Sequence, residues 1–168
     1  TFKSAPDFES PSDIDSDNIY QVKVKATDLE HNSSEQLVKI KVNNISEPPP
    51  SIKGPSGNEG DSISEKYIDE NSTAIHTFTV GNSTKYSTNV IWSLNGGSEE
   101  SLFEINSKTG VLKFKSAPDY ENPLDINKYN NYKVRVRATD NFNKSSEQEL
   151  NIRVKDIIET APEIIGPF

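Results

Sequence analysis

The sequence contains no cysteine, no methionine and only two histidines. Without thiols there is no disulfide stapling, no thiolate-bound zinc or iron–sulfur centre and no thiol catalysis. Two imidazoles are too few for a histidine-rich metal site. Apolar residues are also scarce, at 32% of 168 residues, below the roughly 45–50% of ordinary globular domains. No apolar run approaches the roughly 18 residues needed to span a bilayer, and no signal-type segment opens the chain. A fragment or a mature chain would lack such segments anyway. Basic residues are outnumbered, 18 against 26 acidic, giving a net charge of −8. An acidic surface repels a polyanion, so nucleic acid is not an expected partner.

What apolar residues there are alternate with polar ones in short blocks, the pattern of strands with one buried face. Ala74–Val80, Val90–Leu94, Leu102–Ile105, Val111–Phe114, Tyr132–Ala138 and the stretch carrying Leu150, Ile152 and Val154 read as strands. A short one near Tyr67 brings the total to about seven, with no helical period. Tyr132, Val134, Val136 and Ala138 share one face, while Lys133, Arg135 and Arg137 point outward. Asn106–Gly110 reads as a turn, with Gly110 at positive φ. The expected fold is all-β, a seven-stranded Greek-key sandwich of immunoglobulin-like type.

The strongest internal signal is repetition. FKSAPDFE from Phe2 returns as FKSAPDYE from Phe114, an offset of 112 residues (114 less 2). The offset continues without a gap through YQVKVKATD and YKVRVRATD, and on to the end of the chain, with about half of the aligned residues identical. A tandem array follows as an expectation: residues 1–47 are the C-terminal part of a first repeat, 48–159 a complete repeat, and 160–168 the start of a third. The first segment has too few strands to bury a sheet face by itself. Pro48-Pro49-Pro50 marks the boundary as a stiff joint, because consecutive prolines hold an extended backbone.

Candidate chemistry lies in acids beside strand ends. Asp119 and Glu121 follow Pro118, Asp140 closes the strand from Tyr132, Glu70 precedes the strand from Ala74, and Glu159 lies in the outgoing segment. Carboxylates that converge repel one another unless a cation sits among them, and hard oxygen donors without thiols select Ca²⁺. Isolated turn acids are ordinarily just solvated, and composition alone leaves that reading standing.

These residues carry a resemblance. The chain is similar to cadherin-type repeats, specifically the bacterial kind found in long secreted or surface proteins, over nearly its whole length. Pro118–Glu121 resembles the family's LDRE-type motif, Ala138–Asp140 its AxD, Asp69-Glu70-Asn71 its N-terminal glutamate segment, and Asp156–Pro162 and Asn44–Pro50 its DxNDNxP linker. The resemblance implies calcium at two junctions between repeats, about one or two ions at each. Asp7, Glu9, Glu47 and Asp140 would serve the first; Glu70, Asp119, Glu121 and Glu159, with Asp156, would serve the second. Asp28 would face a preceding repeat. The family's DxD falls on Asn82-Ser83-Thr84, which carries no carboxylate.

The implied role is a calcium-stiffened repeat of an extracellular or cell-surface protein that supports adhesion. Its partners would be neighbouring repeats, and a cell-surface or matrix protein or a glycan. One alternative is a carbohydrate-binding module, which would need an exposed, coplanar aromatic patch drawn from Tyr20, Tyr67, Tyr86, Tyr120, Tyr129 and Tyr132. A metal-free spacer is the other. Asp125 and Asn127 could form a small local calcium site, though turn chemistry explains them. Trp92, inside an alternating strand, reads as core. Catalysis is not expected: the pairs Asp7/Glu9 and Asp119/Glu121 lie two residues apart in a turn, with nothing to form a glycosidase cleft.

Overall fold

A computed structural model describes residues 1–81 and 89–159. The chain divides into two units between Glu47 and Pro48. No helix among the described residues is long and apolar enough to cross a membrane.

The first unit contains a hairpin of β1 (Ile19–Thr27) and β2 (Ser33–Lys41). The described residues of the second contain nine strands: β3 (Ile52–Lys53), β4 (Ile63–Asp69), β5 (Ala74–Thr77), β6 (Thr79–Val80), β7 (Val90–Leu94), β8 (Phe103–Ile105), β9 (Val111–Phe114), β10 (Asn131–Asp140) and β11 (Ser145–Lys155). One sheet runs β4-β11-β10-β7, with β4 parallel to β11 and the other pairs antiparallel. The other runs β5-β9-β8, and β3 pairs with β6. The seven strands expected from alternation are therefore found as four plus three.

Both sheets send their apolar faces into one core. Trp92, Tyr132, Val134, Val136, Leu150 and Ile152 come from the first sheet, and Ile75, Phe103, Leu112 and Phe114 from the second. The period of two is literal on β7, where Trp92 is 5% exposed and its neighbour Ile91 is 64% exposed. The Tyr132 ring stands edge-on to Phe114 at 5.2 Å, and its hydroxyl accepts the Leu124 N–H at 3.1 Å. Tyr132 is thus a core residue, unavailable to a surface patch, and burial raises its phenol above the ordinary range.

Two elements depart from the alternation. Ala74–Val80 is not one strand: β5 pairs with β9 through a bulge between Ala74 and His76, while β6 pairs with β3. The break falls at Phe78, which is buried and gives its N–H to the Gly110 carbonyl at 2.9 Å. Leu102 belongs to a 3₁₀ turn, Glu100–Leu102, and β8 starts after it. Strand β3 is two residues long, too short for any period to register. Gly110 adopts φ +69° as expected, and Gly97 a φ of +107° where a Cβ would lie 2.5 Å from the Lys133 carbonyl oxygen.

The outer face of β10 and β11 is charged. Arg137 and Glu147 stand directly opposite, and the guanidinium gives Glu147 two hydrogen bonds, at 2.8 and 2.6 Å. The Arg137 hydrogen bond, ahead of that from Asn95, holds the Glu147 carboxyl below its ordinary 4.5. A depressed carboxyl stabilises the fold above its unfolded value, and the gain is lost as pH falls through the folded one. The expected result is that Glu147→Gln flattens the acid limb of a melting-temperature profile below about pH 4.5. An unchanged limb would show that the pair contributes nothing.

The hairpin repeats this register with the opposite burial. Tyr20 faces Ile40 and Val22 faces Val38, as Tyr132 faces Ile152 and Val134 faces Leu150. Val22 and Val24 are nevertheless 46% and 52% exposed, whereas Val134 and Val136 are 0%. Two strands cannot cover their own apolar face. Local packing survives the difference: Tyr20 stands edge-on to Phe2 at 5.0 Å and accepts the Ser12 N–H at 3.1 Å, as Tyr132 does with Phe114 and Leu124.

Candidate metal centre

Glu70 immediately follows β4 and is 2% exposed. Burying a carboxylate is costly unless donors compensate it. Two backbone donors do: Oε2 accepts the Tyr120 N–H at 2.9 Å, and Oε1 accepts the Ile157 N–H at 2.8 Å. The Glu70 N–H itself reaches the Lys155 carbonyl at 3.0 Å, and the Asn71 N–H the Pro118 carbonyl at 3.0 Å. One side chain thereby ties the end of β4 to the turn after Pro118 and to the segment leaving β11.

These ties bring further acids in. One carboxylate oxygen from each of Glu70, Glu121 and Asp156 lies within 4.8 Å of the other two. A backbone hydrogen bond pulls the Glu121 carboxyl down. Partial desolvation and the charges of Glu70, Asp156 and Glu159 outweigh it, leaving the group above its ordinary value. The residues fit a hard dication. Oxygens bound to one Ca²⁺ at about 2.3–2.6 Å lie no more than about 5 Å apart, and a buried anion flanked by two exposed ones gains most from the neutralising charge.

Other expected ligands are placed differently. Asp119 is exposed, and its Oδ1 accepts the Asn122 N–H at 3.0 Å, closing the turn that presents Glu121. Asp7 does the same for its own turn, accepting from Glu9 at 3.0 Å and Ser10 at 3.3 Å. Asp7, Glu9 and Glu47 belong to the first unit and Asp140 to the second. The Asn82-Ser83-Thr84 segment and Tyr86 lie outside the described residues.

Asp140 ends β10 at 4% exposure. Its Oδ1 accepts the Phe142 and Lys144 N–H groups at 2.9 Å each, while Oδ2 is buried and accepts no hydrogen bond. Asp28 closes the matching turn of the first unit, and there Asn32 donates its side-chain amide to Oδ2 at 3.2 Å. That amide bond lowers the Asp28 carboxyl below its ordinary value. At the 112-residue offset Asn32 corresponds to Lys144 in the second unit, and Asp140 keeps an oxygen that accepts no hydrogen bond. Asp140→Ala therefore removes the acceptor for two turn N–H groups, and a stability loss of about 1–3 kcal/mol is expected alongside any loss of metal. Asp140→Asn, which keeps one oxygen, should melt closer to the parent by thermal denaturation.

The sequence reading missed one cluster. Asp13, Asp15 and Asp17 each place an oxygen within 4.8 Å of the others. Their alternation is visible in the sequence, where the 112-residue offset pairs Asp13 and Asp15 with Asp125 and Asn127. Asp125 is 1% exposed and accepts the Tyr129 and Asn130 N–H groups at 3.0 and 3.1 Å, as turn chemistry predicts. Asp13 likewise accepts the Asp17 N–H at 2.9 Å. Buried Glu99 is also structural, taking the Lys133 and Ile126 N–H groups at 2.8 and 3.3 Å.

The cadherin-domain family model matches residues 65–155, more than half of the chain and the stretch that carries most of both sheets. The chain belongs to the cadherin family. Among solved structures it is similar to human CDH23 EC21-23, at 20% identity and a TM-score of 0.57, over 88% of this chain and 47% of that one. Protocadherin gammaB7 EC3-6, described as a cis-dimer, gives 20% identity and 0.56, over 95% and 37%. Mouse clustered PcdhgC3 EC1-3 gives 17% and 0.54, over 88% and 46%. At such identities the likeness shows the fold, and the chain spans less than half of each of these structures. No curated protein matches it. The cadherin domain is a non-catalytic family. Membership supports a structural role in adhesion and an extracellular or cell-surface setting. The first and third of these structures are human and mouse, which lends nothing to the bacterial kind expected above.

Proposed function

We propose that this cadherin domain is a calcium-binding structural repeat, one of a tandem array, that stiffens an extracellular or cell-surface protein and supports its adhesion to a cell or matrix. The array would comprise residues 1–47, 48–159 and 160–168 as the end of one repeat, a whole repeat and the start of the next. The observation that carries the reading is the meeting of Glu70, Glu121 and Asp156 around the backbone ties that the Glu70 carboxylate makes.

A Ca²⁺ held there, with Asp119 and Glu159 completing its shell, would clamp the outgoing 156–159 segment to the end of β4 and to the turn after Pro118. Within the second unit, Asp140 Oδ2 has a lone pair to give to a further ion. About one or two ions per junction match this supply of oxygens.

Calorimetric titration of chelator-treated protein with Ca²⁺, with Mg²⁺ as control, tests the reading. Binding at micromolar to millimolar affinity with a raised melting temperature supports it. Flat heats with no thermal shift would replace it with a metal-free spacer.

A further inference from the structure

Beside the acidic end, the second unit carries a cleft of a different character. Tyr67, Tyr120, Tyr129, Asn130, Asn131 and Arg153 line an open cavity of about 330 Å³. Tyr67, Tyr120 and Tyr129 are 52%, 37% and 80% exposed, well beyond what core tyrosines such as Tyr132 show. The guanidinium of Arg153 stands over the Tyr67 ring, 5.8 Å from its centroid, and among the described residues no carboxylate pairs with it. The side-chain oxygens of Asn130 and Asn131 are buried and accept no hydrogen bond, and Asn130 is 7% exposed. An acidic protein has here gathered exposed aromatic rings and a guanidinium with no carboxylate partner among the described residues.

The repeat offset shows which parts are peculiar to the complete repeat. Asn130 gives its amide N–H to the Tyr120 carbonyl at 2.8 Å, and Asn18 gives its own to the Phe8 carbonyl at 3.0 Å, so that tie is part of the scaffold. Around it the residues differ: Phe8, Asp17, Ile19 and Lys41 stand where the complete repeat has Tyr120, Tyr129, Asn131 and Arg153. Among repeats about half identical, these changes fall together and all add ring hydroxyls, an amide or a guanidinium.

We propose that this cleft binds a carboxylated sugar at the end of a glycan. Tyrosine faces stack against the C–H face of a pyranose ring, and the guanidinium pairs with its carboxylate. The volume lies near the lower end of small-ligand sites, about 300–1,000 Å³, which suits a short glycan end. The inference does not rest on calcium.

The test is titration in calcium-free buffer with digalacturonate and, as the neutral probe, galactobiose, read by calorimetry and by saturation transfer to the sugar protons. Digalacturonate is expected to bind saturably and galactobiose markedly less. Tyr129→Ala should weaken digalacturonate about three- to tenfold, and Arg153→Gln should erase the preference for the carboxylated sugar. Both residues are exposed, so melting curves should match the parent. Failure of both sugars to bind, equal binding of the two, or unchanged affinity in Tyr129→Ala would each overturn the proposal.

Discussion

Trp92→Ala is expected to cost about 3–5 kcal/mol of stability. The indole is 5% exposed, reaches from β7 into the core and meets the Phe78 ring at 5.9 Å. Its surroundings cannot close over the gap. Gly110, held at φ +69°, lies so near that a Cβ there would come within 3.1 Å of the indole, and the backbone at that turn is pinned by the Phe78 N–H. A rigid wall leaves a cavity, so the lost transfer energy and the cavity cost add. For a domain of this size the melting temperature should fall by at least about 12 °C. Trp92 is the only tryptophan, so circular dichroism must replace fluorescence as the readout. Near-parental melting would mean that the ring does not pack as described.

Glu70→Gln should lower calcium affinity about tenfold or more while leaving the sandwich folded. Glutamine fills the same space and keeps one acceptor for the two backbone N–H groups that Glu70 now satisfies. What it removes is the only buried charge of the acidic cluster. Without calcium the variant loses one charge-assisted hydrogen bond, about 1.5–3 kcal/mol, partly offset by relief of the repulsion that raises Glu121. Calorimetry on parent and variant separates the two effects. Parental affinity in Glu70→Gln would remove this glutamate from the metal centre.

The fold was legible because its signal is local. Alternation needs only five or so residues to register, which is why β7, β9, β10 and β11 were read near their observed places. It failed where the chain changes sheets: at Phe78 the apolar alternation of Ala74–Val80 continues, but hydrogen-bonding partners switch from β9 to β3. Nothing in a two-residue period encodes that switch. The role of Glu70 was half legible. Its type and place were read by resemblance, but its burial and its grip on Tyr120 and Ile157 depend on contacts 50 and 87 residues away. For Asp140, the unused oxygen arises from one substitution between repeats, Asn32 against Lys144, and the offset alignment already held it. The tyrosine cleft was visible only as a list of candidates. Pairing of β4 with β11 sets Tyr67 opposite Arg153, and that neighbourhood cannot be read along the chain.

The central claim is that calcium binds where Glu70 gathers three segments. Amide NMR of the calcium-free protein, titrated with Ca²⁺, tests it most directly. The account predicts saturable shifts centred on the N–H groups of Tyr120 and Ile157, whose acceptor is the Glu70 carboxylate, and on Glu121 and Asp156. Shifts confined to Asp13–Asp17, or none at all, would contradict it.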